Sequence, residues 1–380
     1  MTEDLFRREH ARLVAQLCAR WGVHRLEMAE DVVQEAFVRA LQTWPYRGIP
    51  EHPEAWLAQT ARHLALDQWR REQNWERKQE GIGQARSLWM SDGAADPAPA
   101  GEVPGDETLR LLFVCCHPAL SPEAQTALAL RTLCGFSPAE IAAAFLTSEA
   151  AISKRLVRAR QRIRDLALSF QVPPPEELPA RLDAVLATIY LLFNEGYRAS
   201  SGDRLVREDL CREALRLGLQ LVAHPATRCP RTFALAALLL LNAARLPARV
   251  DDAGNPLRLR EQNRRLWDGG MISQGIGYLG LAAAGEALSP YHLEAGIAAC
   301  HATAPDEVST DWRRILSLYD ALARCHPSPV VALNRAVAVA RVRGPAAGLA
   351  ALEGGAVSGA LDGYLFFHAV RGTLAAEAGR

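Results

Sequence analysis

Residues 137–165 read SPAEIAAAFLTSEAAISKRLVRARQRIRD, a segment that predicts two helices joined by a tight turn. Ser137 and Glu140 have the spacing of a capping box, with a proline between them at the first helical position. Either Thr147 or Ser148 can cap the second, longer helix, because both side chains accept hydrogen bonds from backbone amides.

The second helix of this segment is amphipathic and basic. Apolar residues recur at i, i+4, i+7 and i+11, which predicts a buried stripe: Ile152, Leu156, Ala159 and Ile163. The cations off that stripe are Lys154, Arg155, Arg158 and Arg162. A short helix, a turn and a basic helix are typical of the helix-turn-helix motif, whose second helix enters the DNA major groove. A helical hairpin with a solvated charged face has the same pattern, so this segment alone leaves both interpretations open.

The composition of the whole chain limits the classes of protein. Its 380 residues predict two or three domains. Lys plus Arg and Asp plus Glu number 43 each, so a nucleic-acid site must come from local charge. The eight cysteines contain no CxxC pair, and the first residues have no apolar core of a secretion signal, which together favour a reducing cytoplasm. The longest apolar run, residues 233–241, is too short to cross a bilayer, and strand signals are few.

Cys115, Cys116 and His117 are adjacent and suggest zinc ligands. Neighbouring residues on a helix point about 100° apart, so the three could not face one ion unless the helix unwound. A second cysteine or histidine cluster that would complete four ligands is missing from the sequence. We therefore predict neither a metal nor a cofactor, and interpret these residues as core.

Residues 29–41 predict an amphipathic helix. The residues expected in its buried stripe are Val33, Phe37, Ala40 and Leu41. The residues expected on its opposite face are Asp31, Gln34, Glu35 and Val38. This second face is polar and partly acidic and suits a basic partner, although an ordinary solvated helix face has the same spacing.

Residues 43–53, TWPYRGIPEHP, contain three prolines and a glycine and predict a loop. It presents Trp44, Tyr46 and Arg47, and aromatic rings beside a cation suit unpaired bases. The next helix is expected from Pro53 to about Glu72. It should carry four side chains outward: Arg62, His63, Arg70 and Arg71.

These segments together carry a resemblance to a known family. Residues 29–37 (AEDVVQEAF), Trp44 and residues 55–71 (AWLAQTARHLALDQWRR) closely resemble region 2 of sigma-70-type initiation factors of the extracytoplasmic-function class. Residues 137–165 resemble region 4 of the same class. Two independent motifs in the family's order are far more specific than a helix-turn-helix alone.

The resemblance implies a role for each set of residues. Asp31, Gln34 and Glu35 would dock on the clamp helices of bacterial core RNA polymerase. The −10 promoter element would be opened and read by Trp44, Tyr46, Arg47, Arg62, His63, Arg70 and Arg71, although His63 stands where the family often has asparagine. The −35 element would be read by Ser148, Ser153, Lys154, Arg155, Arg158 and Arg162.

Composition and resemblance divide the chain into five parts. We predict region 2 over 1–80, a linker rich in glycine, proline and acid over 81–106, region 4 over 107–170, a proline-rich linker over 171–179 and a helical extension over 180–380. In the extension, helix starts near Trp312 and Gly344 lie 32 residues apart, close to the period of about 34 residues of tetratricopeptide repeats, which they resemble. Residues 187–202 and the pair Asp311-Trp312 resemble the sigma subgroup that carries a long helical extension.

The sequence thus predicts an all-α, multi-domain alternative sigma factor and not an enzyme. Its expected partners are core RNA polymerase, promoter DNA and a protein or peptide ligand on the extension, in the cytoplasm and without a membrane. One alternative is a non-sigma helix-turn-helix activator with a repeat-type sensor domain. Another is a repeat scaffold or enzyme with an incidental helix-turn-helix.

Overall fold

The computed structural model describes residues 3–83, 106–145, 147–166, 168, 170–197, 206–251, 254–255, 257–285, 287–353, 361 and 365–379. In this part of the chain, helices are joined by turns and short 3₁₀ segments, and the all-α prediction is confirmed. The chain forms two compact units. The first is Met1–Glu195 with Ala199–Asp203, and the second is Gly196–Arg198 with Arg204–Arg380.

The first unit contains the helices of both predicted sigma regions. They are α1 (Glu3–Trp21), α2 (Leu26–Arg47), α3 (Pro53–Gly83), α4 (Asp106–Cys115), α5 (Pro122–Cys134), α6 (Pro138–Ala144), α7 (Glu149–Asp165) and α8 (Leu178–Tyr197), the last of which continues to the border of the second unit. Helix α1 packs on α2, α4 and α5, so the regions before and after residues 84–105 share one core.

The helix-turn-helix forms as its local signals predict. The Ser137 amide donates to the Glu140 carboxylate at 2.7 Å and the Glu140 amide donates to the Ser137 hydroxyl at 3.2 Å, which completes a capping box before α6. Ser148 caps α7 by accepting from the Ala151 amide at 3.3 Å. The predicted stripe of α7 is buried at all four positions: Ile152, Leu156, Ala159 and Ile163.

Helix α2 differs from the prediction at its end. It continues through Pro45 to Arg47, so the loop is only residues 48–52 and not 43–53. Pro45 removes one hydrogen bond in the last turn, while Trp44 beside it is buried. Trp44 continues the stripe of Phe37 and Ala40, whereas Leu41 is 56% exposed at its edge, contrary to prediction.

Helix α3 is longer than predicted, because it continues beyond Glu72 to Gly83. Most of the predicted linker over 81–106 lies outside the described residues, and helix α4 begins at Asp106. Helix α8, which the sequence assigns to the extension, belongs for most of its length to the first unit. The five predicted domain limits stay predictions.

The second unit is a succession of helices that pack on their neighbours along the chain. They are α9 (Glu208–Ala223), α10 (Pro230–Ala243), α11 (Gly269–Ala282), α12 (Pro290–Thr303), α13 (Trp312–Cys325), α14 (Pro329–Arg343), α15 (Pro345–Glu353) and α16 (Leu365–Glu377). Gly348 allows α14 and α15 to approach closely, since an added Cβ would lie 2.5 Å from that of Ala340. Helices begin close to Trp312 and Gly344, as predicted, but their assignment as tetratricopeptide repeats stays a prediction.

One stretch of the second unit is apolar enough to resemble a membrane span. Among the described residues, Pro230–Ala248 is long and apolar enough to cross a membrane, judged by length and composition only. The mean hydropathy of its 18-residue window is 1.2, and 78% of that window is buried inside the protein. A core helix of this kind meets the same criteria, and residues 233–241 are buried at most positions.

Candidate nucleic-acid and polymerase interfaces

Helix α7 presents one basic face to solvent. Lys154, Arg158 and Arg162 are exposed, one helical turn apart, and Arg155 beside them is half-buried with its guanidinium 6.0 Å from the ring centre of Phe145. The cap residue Ser148 is exposed and Ser153 is half-buried at the start of the helix. The structure therefore brings all six residues predicted for the −35 element onto α7 and its cap.

A groove of about 610 Å³ runs between the start of α5 and this face of α7. The four cations of α7 line one side, and Ser121, the N-cap of α5, lies on the other. A helix N-terminus and several guanidinium groups around one groove are chemically suited to phosphate. The groove therefore offers groups suited to phosphate beside the basic face of α7.

Two other arginines of α7 pair with carboxylates of α2. Arg160 forms an ion pair with Glu30 of α2, and Arg164 pairs with Glu27 of α2 at 2.8 Å. Sequence reasoning missed both pairs, whose partners lie 130 and 137 residues apart in the chain. Helix α7 therefore divides its cations between an outward face and contacts to α2.

Glu30 is the centre of the contact between α2 and the helix-turn-helix domain. Its side chain is 3% exposed, and it accepts a hydrogen bond of 2.6 Å from the Thr132 hydroxyl of α5 in addition to its pair with Arg160. The sequence contains a signal for the burial of Glu30, because Glu30 follows the spacing of the buried stripe, together with Leu26, Val33 and Phe37. An acid within an apolar stripe indicates a buried partner.

The face of α2 that was predicted to contact polymerase lies outward. Asp31 and Glu35 are exposed and Gln34 between them is half-buried, while Val38 extends the same face at 43% exposure. Glu35 accepts a hydrogen bond from Arg39 at 3.0 Å. Partial burial raises the pKa of Asp31 most, and the negative charge of Glu27 raises it further. The positive charges of Arg160 and Arg131 lower it in part.

The residues predicted for the −10 element fall into two groups. Tyr46 is 90% exposed, and Arg47 is exposed beside it at the end of α2. The four residues on α3 are exposed as well: Arg62, His63, Arg70 and Arg71. The structure thus leaves six of the seven predicted residues accessible to a ligand.

Trp44 is the exception, because the structure does not leave its ring accessible on a loop, and its contact with DNA stays a prediction. Its side chain is only 6% exposed and packs edge-on against Trp56 of α3, with ring centres 5.5 Å apart. Because α2 does not end before Pro45, Trp44 stays on the buried face of the helix. Stacking on an unpaired base would require this ring to leave the core.

Cys115 and Cys116 are packed in the core of the first unit, whereas the neighbouring His117 is half-buried. Both thiols are buried, and burial raises the pKa of Cys115 and raises the pKa of Cys116 to about 12. The amide of Ala119 donates to Nδ1 of His117 at 3.1 Å. Within the described residues, no group of three or more His, Cys, Asp or Glu side chains could hold a metal ion.

Comparison with protein families identifies the two halves of the first unit. Residues 6–75 match Sigma-70 region 2, and residues 110–163 match Sigma-70, region 4. The chain belongs to the sigma-70 family. The helix-turn-helix and the acidic face of α2 thus occur in the two regions, and in the order, of a sigma factor. Residues 181–283 match a further family, described as a family of unknown function (DUF6596).

Two relatives of this sigma factor differ in how much of the chain they share. It is 42% identical over 360 residues to "Uncharacterized protein R00370" of Rhizobium meliloti (strain 1021), which covers 93% of this chain and 83% of that protein. It is 33% identical over 141 residues to "Probable RNA polymerase sigma factor RfaY" of Xanthomonas campestris pv. campestris, which covers 36% of this chain and 33% of that protein. No solved structure matches the chain significantly.

The family assignment decides the function at the level of the whole protein. It is an alternative sigma factor, which binds core RNA polymerase and directs promoter-specific transcription initiation. Sigma factors are DNA-binding initiation factors and not enzymes. The match to region 2 favours this function over a non-sigma activator, which would lack the acidic helix and the aromatic segment after it.

Proposed function

We propose that the outward faces of α2, α3 and α7 carry the three contacts of this sigma factor, and that its extension regulates initiation in cis. Asp31, Gln34 and Glu35 bind core polymerase. The −10 contact uses the exposed residues Tyr46, Arg47, Arg62, His63, Arg70 and Arg71. The −35 contact uses Ser148, Ser153, Lys154, Arg155, Arg158 and Arg162.

The exposure of these side chains supports the assignment. A binding residue must be accessible, and sequence-specific readout needs side chains that reach base edges from a helix in the major groove. The exposed turns of α7 and the groove beside them offer both base-edge and phosphate contacts. The acidic face of α2 is opposite in charge to these DNA-binding surfaces, so it suits a basic surface on a protein partner.

Asp31→Arg with Glu35→Arg is expected to weaken binding to core polymerase by roughly 10-fold or more, since like charges at an interface cost several kcal/mol. The measurement is the affinity of the labelled full-length protein for core polymerase. The control is Glu51→Arg with Asp67→Arg, which makes the same change in net charge at two other exposed acids of region 2. Equal affinities of the two double variants would contradict the assignment.

The position of α8 carries the proposal of regulation in cis. Its side chains Val185, Leu186 and Ile189 are fully buried in the first unit. The Thr188 hydroxyl lies 3.8 Å from the thiol of Cys116, and Arg181 donates to the carbonyl of Phe113 at 3.3 Å. The extension therefore begins as part of the core that supports the helix-turn-helix. A change in the conformation of the extension can act on the DNA-binding domain through these contacts of α8.

Ending the chain after Glu195 is expected to lower transcript yield severalfold while promoter preference stays the same, because α7 and all but the last two residues of α8 are kept. The measurement is reconstituted transcription, compared with full-length protein on the native promoter and on single-base variants. A chain ended after Gln171 is the second variant. It should also lose thermal stability, because removing α8 exposes its apolar partners.

A passive extension predicts a different result. In that case the chain ended after Glu195 would match the full-length protein both in reconstituted transcription and in cells, and the regulatory proposal would fail. We further propose that the signal reaches the extension in the cytoplasm, as a protein or peptide ligand. The elongated face of stacked helices suits such a ligand.

A further inference from the structure

The second unit contains a cavity of about 680 Å³ that the sigma activity does not use. It is bounded by residues 258–264, the end of α12, and helices α13, α14 and α16. Its volume is within the range of about 300–1,000 Å³ that is usual for ligand sites. Apolar side chains of α14 and α16, such as Val337 and Val370, line one part of it, together with Trp312.

The charged groups of the cavity are mostly cations. Four guanidinium groups line it, whereas the lining carboxylates are Glu307 and Glu377. The four cations are Arg258, Arg260, Arg264 and Arg341. Glu307 lies 3.5 Å from Arg341 and, with Asp306, also interacts with Arg264, and Arg258 is 3.4 Å from Glu261 at the rim. The excess of positive charge favours an anionic ligand.

Arg264 is held in place before any ligand arrives. It donates to the carbonyl oxygens of His301 and Ala304 at 2.8 and 2.6 Å, and its guanidinium lies 4.7 Å from the ring centre of Trp267. A fixed guanidinium loses little conformational entropy on binding, so it suits a carboxylate.

The polar wall of the cavity also has an unused group. The buried Nδ1 of His301 has no hydrogen-bond partner among the described residues. Burial and the neighbouring Arg245 and Arg264 lower the pKa of His301 to about 4, so the ring is neutral at pH 7. The ring of His301 packs edge-on against that of Trp312, with ring centres 5.3 Å apart. The imidazole therefore lies beside the aromatic part of the lining.

We propose that this cavity binds a carboxylate joined to an aromatic or aliphatic group. The guanidinium groups bind the carboxylate, and Trp312 with Val337 and Val370 contacts the apolar part. Two sources offer this chemistry: an acidic peptide segment with apolar residues, or a small organic acid. The proposal deepens the regulatory role proposed for the extension, and it rests on that role only for its biological use.

The test uses the full-length protein labelled with 5-fluorotryptophan. The fluorine resonance of Trp312 is assigned with Trp312→Phe and followed by NMR during titration. The probes are the peptide acetyl-Glu-Phe-Glu-Leu-amide and phenylacetate. The matched cationic controls are acetyl-Lys-Phe-Lys-Leu-amide and phenethylamine. We expect a saturable shift with the anionic probes and none with the cationic controls.

Two arginines of α14 provide the matched variants. Arg341 lines the cavity and Arg343, two residues later, does not. Arg341→Met is expected to weaken anion binding by roughly 10-fold, the loss of one charge-assisted contact, while Arg343→Met leaves it unchanged. Circular dichroism of both variants establishes that each is folded.

The outcomes separate the two sources. A peptide that saturates at lower concentration than phenylacetate supports a peptide ligand, and the reverse order supports a free organic acid. The proposal is overturned if neither anionic probe shifts Trp312, or if the cationic controls shift it equally. Neither polymerase nor promoter is present, so this result is independent of the truncation experiment.

Discussion

Glu30→Ala is expected to weaken the contact between region 4 and region 2 by about 3–5 kcal/mol, the usual cost of removing one partner of a buried ion pair. Glu30 is almost fully buried and joins α2 to two helices of region 4, through Thr132 of α5 and Arg160 of α7. Alanine leaves the guanidinium of Arg160, whose side chain is 14% exposed, without its carboxylate.

Amide hydrogen exchange in the full-length protein measures this effect, because it reports the opening of α5 and α7 separately from α2. Glu27→Ala is the matched control, since the more exposed pair with Arg164 contributes about 1 kcal/mol or less. In the Glu30→Ala protein, Arg160→Met should recover part of the loss by removing the stranded charge. Exchange in α5 and α7 that is no faster in Glu30→Ala than in Glu27→Ala would contradict the prediction.

The same contact bears on promoter binding. The names of the −10 and −35 elements place them about 25 base pairs apart, or roughly 85 Å along B-DNA. A compact unit of this length has a radius of gyration of roughly 16 Å, so its diameter is only about half of that distance. If regions 2 and 4 bind these two elements as proposed, region 4 has to leave region 2 before both are bound. We expect Glu30→Ala to bind promoter DNA more tightly in the absence of polymerase.

The helix-turn-helix could be predicted almost completely from the sequence because its determinants are local. The capping box of Ser137 and Glu140 and the cap at Ser148 each involve residues three apart. The buried stripe of α7 follows from the helical period alone. The outward direction of Asp31 and Glu35 follows from the same period, so this part of the candidate site was accessible too.

The contacts between distant residues could not be predicted in this way. Nothing in the sequence near Arg160 or Thr132 indicates that both face Glu30, more than 100 residues earlier. The wrong prediction of a loop at Trp44 has a different cause. Three prolines in residues 43–53 favour a loop, but the packing of Trp44 on Trp56 outweighs the hydrogen bond that Pro45 removes from the helix. Burial of Trp44 in the folded protein therefore overrides the local preference of the prolines for a loop.

Trp44→Ala and Tyr46→Ala are expected to fail in different ways, although the two aromatic rings are only two residues apart. Trp44 is buried against Trp56, so its removal should lower the free energy of unfolding by about 3–5 kcal/mol. Tyr46 is 90% exposed, so Tyr46→Ala should unfold at the wild-type denaturant concentration. Urea unfolding of both variants measures this difference. Trp44→Phe should retain most of the stability that Trp44→Ala loses.

The transcription defects should separate as well. Stacking of a base on Tyr46 is worth about 1–3 kcal/mol and becomes available only when the base is unpaired. Tyr46→Ala should therefore slow strand opening more than initial promoter binding, and a pre-melted promoter should restore most of its activity. Trp44→Ala should be equally defective on closed and pre-melted templates, because the same fraction of folded factor limits both reactions. A Tyr46→Ala defect that persists in full on pre-melted DNA would remove Tyr46 from the −10 contact, and rescue of Trp44→Ala by that template would show that its ring leaves the core to stack on DNA.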